Sequence, residues 1–140
     1  MYRGTDMKIK LVQVCIVIVT LLGLLACSPA SKDIWYAWDQ KTEIGAGELL
    51  TVNLQSNPTT GFEWELREIT NETVLQLVES KYELGEEAKK DPPVPGAGGH
   101  EIWTFKTLKK GESTIFMDYN QPWEGGMKAV HHLILRVTVK

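Results

Sequence analysis

The chain has 140 residues, of which 43% are hydrophobic and 24% are charged, and its formal net charge is −3. This length is enough for one domain with a packed core, and the ordinary composition argues against a disordered chain. The segment 27–140 holds 12 Lys and Arg against 17 Asp and Glu, a formal charge of −5. The sequence has no basic patch of the kind that binds nucleic acid, so a nucleic-acid partner is not expected.

The N-terminal segment has the features of an export signal. Arg3, Lys8 and Lys10 precede an apolar run from Leu11 to Leu25. These are the basic n-region and the apolar h-region of a secretory signal. The run is too short, and too soon followed by polar sequence, to be a convincing membrane span.

The apolar run ends in Leu-Leu-Ala-Cys27, which resembles the bacterial lipoprotein signal, in which cleavage precedes a cysteine that carries the lipid. This resemblance predicts an exported protein anchored to a bacterial membrane through Cys27. Cys15 leaves with the signal, so no cysteine nucleophile, disulfide or cysteine metal site remains. An ordinary signal peptide with a chance cysteine, or an uncleaved anchor, is the alternative. The predicted division is a signal peptide (1–26), a lipidated tether (27–40) and a domain (41–140).

Alternation of apolar and polar residues predicts about seven short strands and no long helix. Turn residues separate the strands, and a helix is the alternative only around residues 70–77. This pattern argues for an all-β fold, an immunoglobulin-like antiparallel β-sandwich. The strands bounded by the pattern are 49–55, 63–69, 74–82, 100–108, 113–119 and 129–139.

Three connections have an unusual composition: 57–62, 85–99 and 120–128. In an antiparallel sandwich every second connection lies at the same end. Counted from the strand 49–55, these three connections share one end, whereas the turns at the other end are short and plain. The sequence therefore predicts one composite surface made of three loops.

The predicted surface lacks the residues of a catalytic site. His131 and His132 are adjacent, so in a strand they point to opposite faces and cannot bind one metal ion. A lone His100 and the neighbouring Glu86 and Glu87 are ordinary surface residues in most proteins. No enzyme activity, metal or cofactor is expected, and the protein is expected to be a monomer that recognises another molecule.

The first connection is stiff for its length, because Pro58 fixes its own backbone angle and Gly61 permits an angle that other residues resist. Taken alone, it is ordinary turn chemistry. In the third connection, Trp123 beside Pro122 is a plausible anchor residue, since tryptophan is frequent in binding hot spots. The alternative for Trp123 is packing against its own loop or the end of the sandwich.

The three connections resemble the signatures of the chagasin-like inhibitors of cysteine peptidases, in the same order along the chain. Those signatures are Asn-Pro-Thr-Thr-Gly with a following aromatic residue, Gly-x-Gly-Gly, and Arg-Pro-Trp or Arg-Pro-Phe. The resemblance covers roughly residues 41–140. The matching residues are Asn57, Pro58, Thr59, Thr60, Gly61 and Phe62, then Gly96, Ala97, Gly98 and Gly99, then Gln121, Pro122 and Trp123.

The resemblance implies a reversible, tight-binding inhibitor whose loops fill the active-site cleft of a papain-like peptidase. The first loop would lie over the catalytic cysteine with Thr59 and Thr60 near it, and the other two loops would clamp the cleft. Trp123 would stack on the primed side. Gln121 departs from the Arg of the family, which loses a charge and the guanidinium fork, so affinity or target range is expected to differ.

A non-inhibitory immunoglobulin-like module for surface adhesion or binding is the alternative function. A hydrolase has little support, because no Ser/His/Asp arrangement is apparent from the spacing.

Overall fold

The computed structural model describes residues 30–35 and 39–140. The predicted signal peptide and Cys27 lie outside the described residues. Within the described part of the chain, no helix is long and apolar enough to cross a membrane.

The described residues form eight strands, and the connections contain two short 3₁₀ turns, at Pro58–Thr60 and Glu86–Lys89. The strands are β1 (Ser31–Trp35), β2 (Asp39–Ile44), β3 (Leu49–Ser56), β4 (Glu63–Ile69), β5 (Leu75–Leu84), β6 (Gly99–Thr107), β7 (Gly111–Asn120) and β8 (His131–Val139).

The strands form two four-stranded sheets, in the orders β1-β3-β6-β5 and β2-β8-β7-β4. The predicted all-β, immunoglobulin-like sandwich is confirmed. The sheets are mixed rather than wholly antiparallel, because β1 is parallel to β3 and β2 is parallel to β8. Parallel neighbours cannot be joined by a tight hairpin, so the sequence carried no turn signal for these two edge pairs.

Part of the segment predicted as a tether contributes to the sheets. All of β1 and the first two residues of β2 precede residue 41. Ser31 and Lys32 are polar and exposed, so apolar alternation could not mark β1 as a strand. The boundary of the domain at residue 41 stays a prediction, and each sheet has an edge strand that begins before it.

The core lies between the two sheets and is made mainly of the apolar side chains that the strands direct inward. Leu50, Val52 and Leu54 of β3 are almost fully buried, as are Leu133 and Leu135 of β8. Burying a side chain of this size stabilises a fold by about 1.5–3 kcal/mol. The other buried apolar residues are Ile44, Trp64, Val74, Leu75, Trp103, Phe105, Ile115, Met117, Val137 and Val139.

The segment for which a helix was the alternative is a turn followed by β5. Its pairing with β6 shifts in register between Leu77 and Glu79. The extra residue, Val78, is left 59% exposed, as in a β-bulge, where one residue has no partner opposite.

The connections that follow β3, β5 and β7 lie at the same end of the sandwich. The first loop (57–62) crosses from one sheet to the other, because β3 and β4 belong to different sheets. The second loop (85–98) joins the antiparallel neighbours β5 and β6, and the third loop (121–130) joins β7 and β8. The topology thus places the three connections together at one end, as the sequence predicted.

Candidate functional site

The first loop is held rigid by its own side chains. Asn57 caps the 3₁₀ turn: its Oδ1 accepts hydrogen bonds from the Thr59 hydroxyl (2.7 Å) and the Thr59 N–H (3.3 Å). The Thr60 hydroxyl donates to the Asn57 carbonyl oxygen at 2.7 Å. Gly61 ends the turn with a φ of 80°, and its N–H donates to the Pro58 carbonyl oxygen at 2.9 Å. Both threonine hydroxyls therefore stiffen the loop, while the threonine residues themselves are exposed.

The second loop is bonded to the first. The Asn57 amide Nδ2 donates a hydrogen bond to the Gly96 carbonyl oxygen at 3.0 Å. Gly96 has a φ of 75°, which favours glycine. A Cβ on Gly98 would lie 2.7 Å from the Ser56 carbonyl oxygen, and one on Gly99 would overlap a carbonyl oxygen of β5. In the Gly-x-Gly-Gly pattern, the first glycine thus allows an unusual backbone angle, and the other two allow close approach to neighbouring backbone.

A groove of about 490 Å³ lies within the second loop, between the glycine run and the turn Glu86–Lys89. Glu86 and Glu87 line this groove, and each forms an exposed ion pair, with Lys89 at 2.9 Å and with Lys90 at 2.6 Å. These charges are satisfied within the loop, as expected for a solvated charged segment.

The third loop is closed by contacts within itself. The Gln121 side-chain oxygen accepts a hydrogen bond from the Met127 N–H at 3.0 Å. The Lys128 ammonium donates to the carbonyl oxygens of Gln121 (2.7 Å) and Trp123 (3.1 Å). An arginine has no acceptor and could not take the Met127 N–H. The departure from the family pattern at Gln121 therefore has a structural role inside the loop.

Trp123 connects the third loop to the first. Its indole ring lies against the Cα of Gly61, where any side chain would overlap the ring. Half of the residue, 50%, stays exposed. One part of the ring thus packs against the protein itself, as the alternative interpretation expected, while the rest is available to a partner.

Tyr119, at the end of β7, supports the first loop from below. Its ring lies 5.5 Å from Phe62, 5.2 Å from Trp64 and 6.0 Å from His131, measured between ring centroids. Its hydroxyl oxygen accepts a hydrogen bond from the Asn57 N–H at 3.0 Å. The sequence analysis predicted a strand that ends at Tyr119 but missed this role, for which its position just before the third loop was the available signal.

Glu101, on β6, also contacts the base of the first loop. One of its carboxylate oxygens, Oε1, accepts from the Ser56 hydroxyl at 2.6 Å and from the Trp64 N–H at 3.0 Å. Partial burial raises the pKa of Glu101 above its usual range; the hydrogen bonds from Ser56 and Trp64 oppose this effect, and nearby Glu63 adds to it. Nothing in the sequence pattern singled out this residue.

The histidines occupy separate places, as their adjacency required. His131 stacks on Tyr119, whereas the His132 Nδ1 lies 2.7 Å from the Asp118 carboxylate. Among residues 30–35 and 39–140, no three His, Cys, Asp or Glu side chains are grouped so that they could hold a metal ion. The features that stand out at the loop end are rigid turns, exposed threonines and a half-exposed tryptophan.

This fold and site define a class of protein: a small immunoglobulin-like sandwich that presents three interlocked loops at one end for binding. The family model described as chagasin family peptidase inhibitor I42 matches residues 43–137, and the chain belongs to this family. The loops bearing the three signatures are the loops that the structure brings together. The contact of each residue with a peptidase stays a prediction.

Two curated relatives are similar over most of their length. Chagasin from Trypanosoma cruzi is 35% identical over 86 residues, which is 59% of this chain and 73% of that protein. Amoebiasin-2 from Entamoeba histolytica is 29% identical over 102 residues, covering 69% of this chain and 75% of that protein.

Solved structures share the fold at lower sequence identity. A cysteine protease inhibitor from Entamoeba histolytica aligns with a TM-score of 0.63 at 22% identity, over 81% of this chain and 100% of that one. The structure of PbICP-C in complex with falcipain-2 aligns with a TM-score of 0.51 at 23% identity, over 81% of this chain and 92% of that one. At these identities the likeness establishes the sandwich.

Proposed function

We propose that this protein is a reversible, tight-binding inhibitor of papain-like cysteine peptidases whose three loops occlude the active-site cleft. The observation that carries the proposal is the interlocking of the three signature loops. Asn57 bonds to Gly96 of the second loop, and Trp123 of the third loop rests on Gly61 of the first. Membership of the family supplies the class of target.

The geometry suits steric inhibition without covalent chemistry. The first loop occupies the middle position, since both neighbouring loops contact it. Its internal hydrogen bonds fix its shape before binding, so little conformational entropy is lost in the complex. A loop held this way fills the cleft near the catalytic cysteine and resists the extension that a substrate strand adopts.

We also propose that the protein is exported and held at a bacterial membrane by lipid on Cys27. The Leu-Leu-Ala-Cys27 pattern after a basic and apolar leader supports this proposal. Release of the Cys27→Ser variant from the membrane fraction is the expected result, and its retention there would count against the anchor.

Inhibition kinetics test the proposed function. Purified 28–140 is titrated into papain or cathepsin L, with trypsin as a peptidase of another catalytic class. Loss of papain activity that reverses on dilution, with trypsin unaffected, is the expected result. A folded domain that leaves papain active at micromolar concentration would overturn the proposal.

A further inference from the structure

The base of the first loop lies between the two sheets. Its incoming stem ends at Ser56 of β3, and its outgoing stem begins at Glu63 of β4. Because β3 and β4 belong to different sheets, no hairpin ladder sets the distance between the stems. Side-chain contacts must therefore contribute to holding the loop in one shape.

One side chain bonds to both stems. The Glu101 Oε1 atom accepts from the Ser56 hydroxyl on the incoming side and from the Trp64 N–H on the outgoing side, at 2.6 Å and 3.0 Å. The Trp64 indole N–H adds a direct link by donating to the Gln55 carbonyl oxygen at 3.0 Å. A shared acceptor oxygen fixes the separation of its two donors.

Glu101 also couples the first loop to the second. It lies two residues after Gly99, the last glycine of the second loop's signature, on the same strand β6. A shift of that strand end would move the carboxylate and both stems with it. The first and second loops are thus joined by the hydrogen bond from Asn57 to Gly96, and at the base of the first loop by Glu101.

We propose that Glu101 is a positioning residue for inhibition: its carboxylate ties the two stems of the first loop together and holds the loop in the shape that enters a peptidase cleft. The inference rests on the proposed function. The carboxylate is partly buried at a place where burial disfavours its charge and raises its pKa, so hydration by water does not explain why it lies there. The hydrogen bonds that it accepts from Ser56 and Trp64 explain its position.

Substitutions at Glu101 separate the acceptor from the charge. Glu101→Gln keeps an acceptor oxygen in the same place, whereas Glu101→Ala leaves the Ser56 hydroxyl and the Trp64 N–H without it. Ser56 is only 2% exposed, so water cannot readily replace the acceptor there. Glu112→Ala is the matched control, since Glu112 is an exposed carboxylate at the other end of the sandwich, at the start of β7.

The test combines inhibition of papain with amide hydrogen exchange of the free protein. We expect Glu101→Ala to raise the inhibition constant about tenfold, mainly through faster dissociation, and to speed exchange of the Trp64 N–H. Glu101→Gln should raise neither the inhibition constant nor the exchange rate of the Trp64 N–H by more than about twofold, and the same holds for Glu112→Ala. Inhibition constants are measured on protein shown to be folded by its circular dichroism.

Unchanged inhibition and unchanged Trp64 exchange in folded Glu101→Ala would overturn the proposal, as would equal losses in the Ala and Gln variants. If Glu101→Ala does not fold, Ser56→Ala tests the proposal instead. It removes one of the two stem bonds and should raise the inhibition constant severalfold, and an unchanged constant would overturn the proposal. Hydrogen exchange needs no peptidase. A wild-type protein that fails to inhibit papain would overturn the proposed function, while faster Trp64 exchange in the variant would still support the link between the stems.

Discussion

Trp123 illustrates how one residue can have two roles at the loop end. Part of its ring covers Gly61, and half of the residue is exposed beside the first loop. The buried part fixes the orientation of the indole, and the exposed part offers an aromatic surface. A tryptophan held in this way is typical of a binding hot spot.

Trp123→Ala should therefore weaken inhibition far more than it destabilises the fold. Loss of a hot-spot tryptophan costs about 2 kcal/mol or more of binding, roughly a thirtyfold rise in the inhibition constant. Because the residue is half exposed, the change in free energy of unfolding should stay below about 1 kcal/mol. Inhibition of papain and urea unfolding measure the two effects. A large loss of stability with unchanged inhibition would show that Trp123 only packs.

Glu101 gives stability a pH dependence of predictable sign. Its pKa is raised in the folded state, so the folded protein binds this proton more readily than the unfolded chain does. The ionised carboxylate consequently lowers stability at neutral pH, and this cost declines as pH falls through the folded-state pKa toward the ordinary glutamate value of 4.5.

Glu101→Gln should be more stable than the wild type at pH 7, and its advantage should shrink as the pH approaches 4.5. Removing the charge abolishes the desolvation cost while the acceptor oxygen remains. Urea unfolding of both proteins across this range measures the difference. A constant difference at all pH values would show that the carboxyl of Glu101 titrates alike in the folded and unfolded protein.

At the scale of elements, the loops depend on close approach of their backbones. Gly98 has no room for a side chain, because the Ser56 carbonyl oxygen would lie 2.7 Å from an added Cβ. Backbone of β3 cannot yield as a flexible side chain would. The second loop can come close enough to bond to Asn57 only if residue 98 has no Cβ.

Gly98→Ala should displace the second loop from the first and weaken inhibition by about tenfold or more. Gly45→Ala is the control: an added Cβ there also meets a close neighbour, at 2.8 Å, but this is the flexible end of the Glu48 side chain at the opposite end of the sandwich. Inhibition by both variants and exchange of the Asn57 side-chain amide measure the effect. Equal inhibition by both variants would contradict the account of the glycine signature.

The sequence predicted the elements whose signals are local. Alternation bounded β3, β4, β6, β7 and β8 to within about two residues, because each is antiparallel to a neighbour and buries one face. The strand count then placed three loops at one end. The parallel edge strands β1 and β2 were not predicted. Ser31 and Lys32 of β1 are polar, and neither edge strand is joined to its neighbour by a hairpin turn.

The supports beneath the loops could not be predicted in the same way. Glu101 bonds to Trp64, 37 residues away, and Tyr119 bonds to Asn57, 62 residues away. Such contacts follow from tertiary packing, which periodicity does not encode. Gln121 is a third case: its departure from the family pattern was visible, but its bond to the Met127 N–H was not.

For the whole molecule, the direction of β1 determines where the proposed anchor enters. β1 runs parallel to β3, with Ser31 opposite Leu49, so β1 starts at the end away from the three loops. The Ala30 carbonyl oxygen accepts from the Leu49 N–H at 3.0 Å at this same end. The four Cα-to-Cα steps from Cys27 to Ser31 span at most about 14 Å. A lipid on Cys27 would therefore hold the sandwich with its loops directed away from the membrane.

Lipidated protein on vesicles should accordingly inhibit soluble papain about as well as free 28–140, with inhibition constants within about threefold. The matched control is free 28–140 mixed with empty vesicles. Loss of inhibition on the vesicle surface would contradict the inferred orientation, because it would place the loops against the membrane.

The proposed function requires that the three loops bind inside the cleft of the peptidase. Calorimetric titration of 28–140 into papain tests it most directly, when papain with a free cleft is compared with papain whose cleft is filled by a covalently bound peptidyl inhibitor. Tight one-to-one binding to free papain, and none to filled papain, is the expected result. Equal binding to both forms would place the contact elsewhere on the enzyme and rule out occlusion of the cleft by the loops.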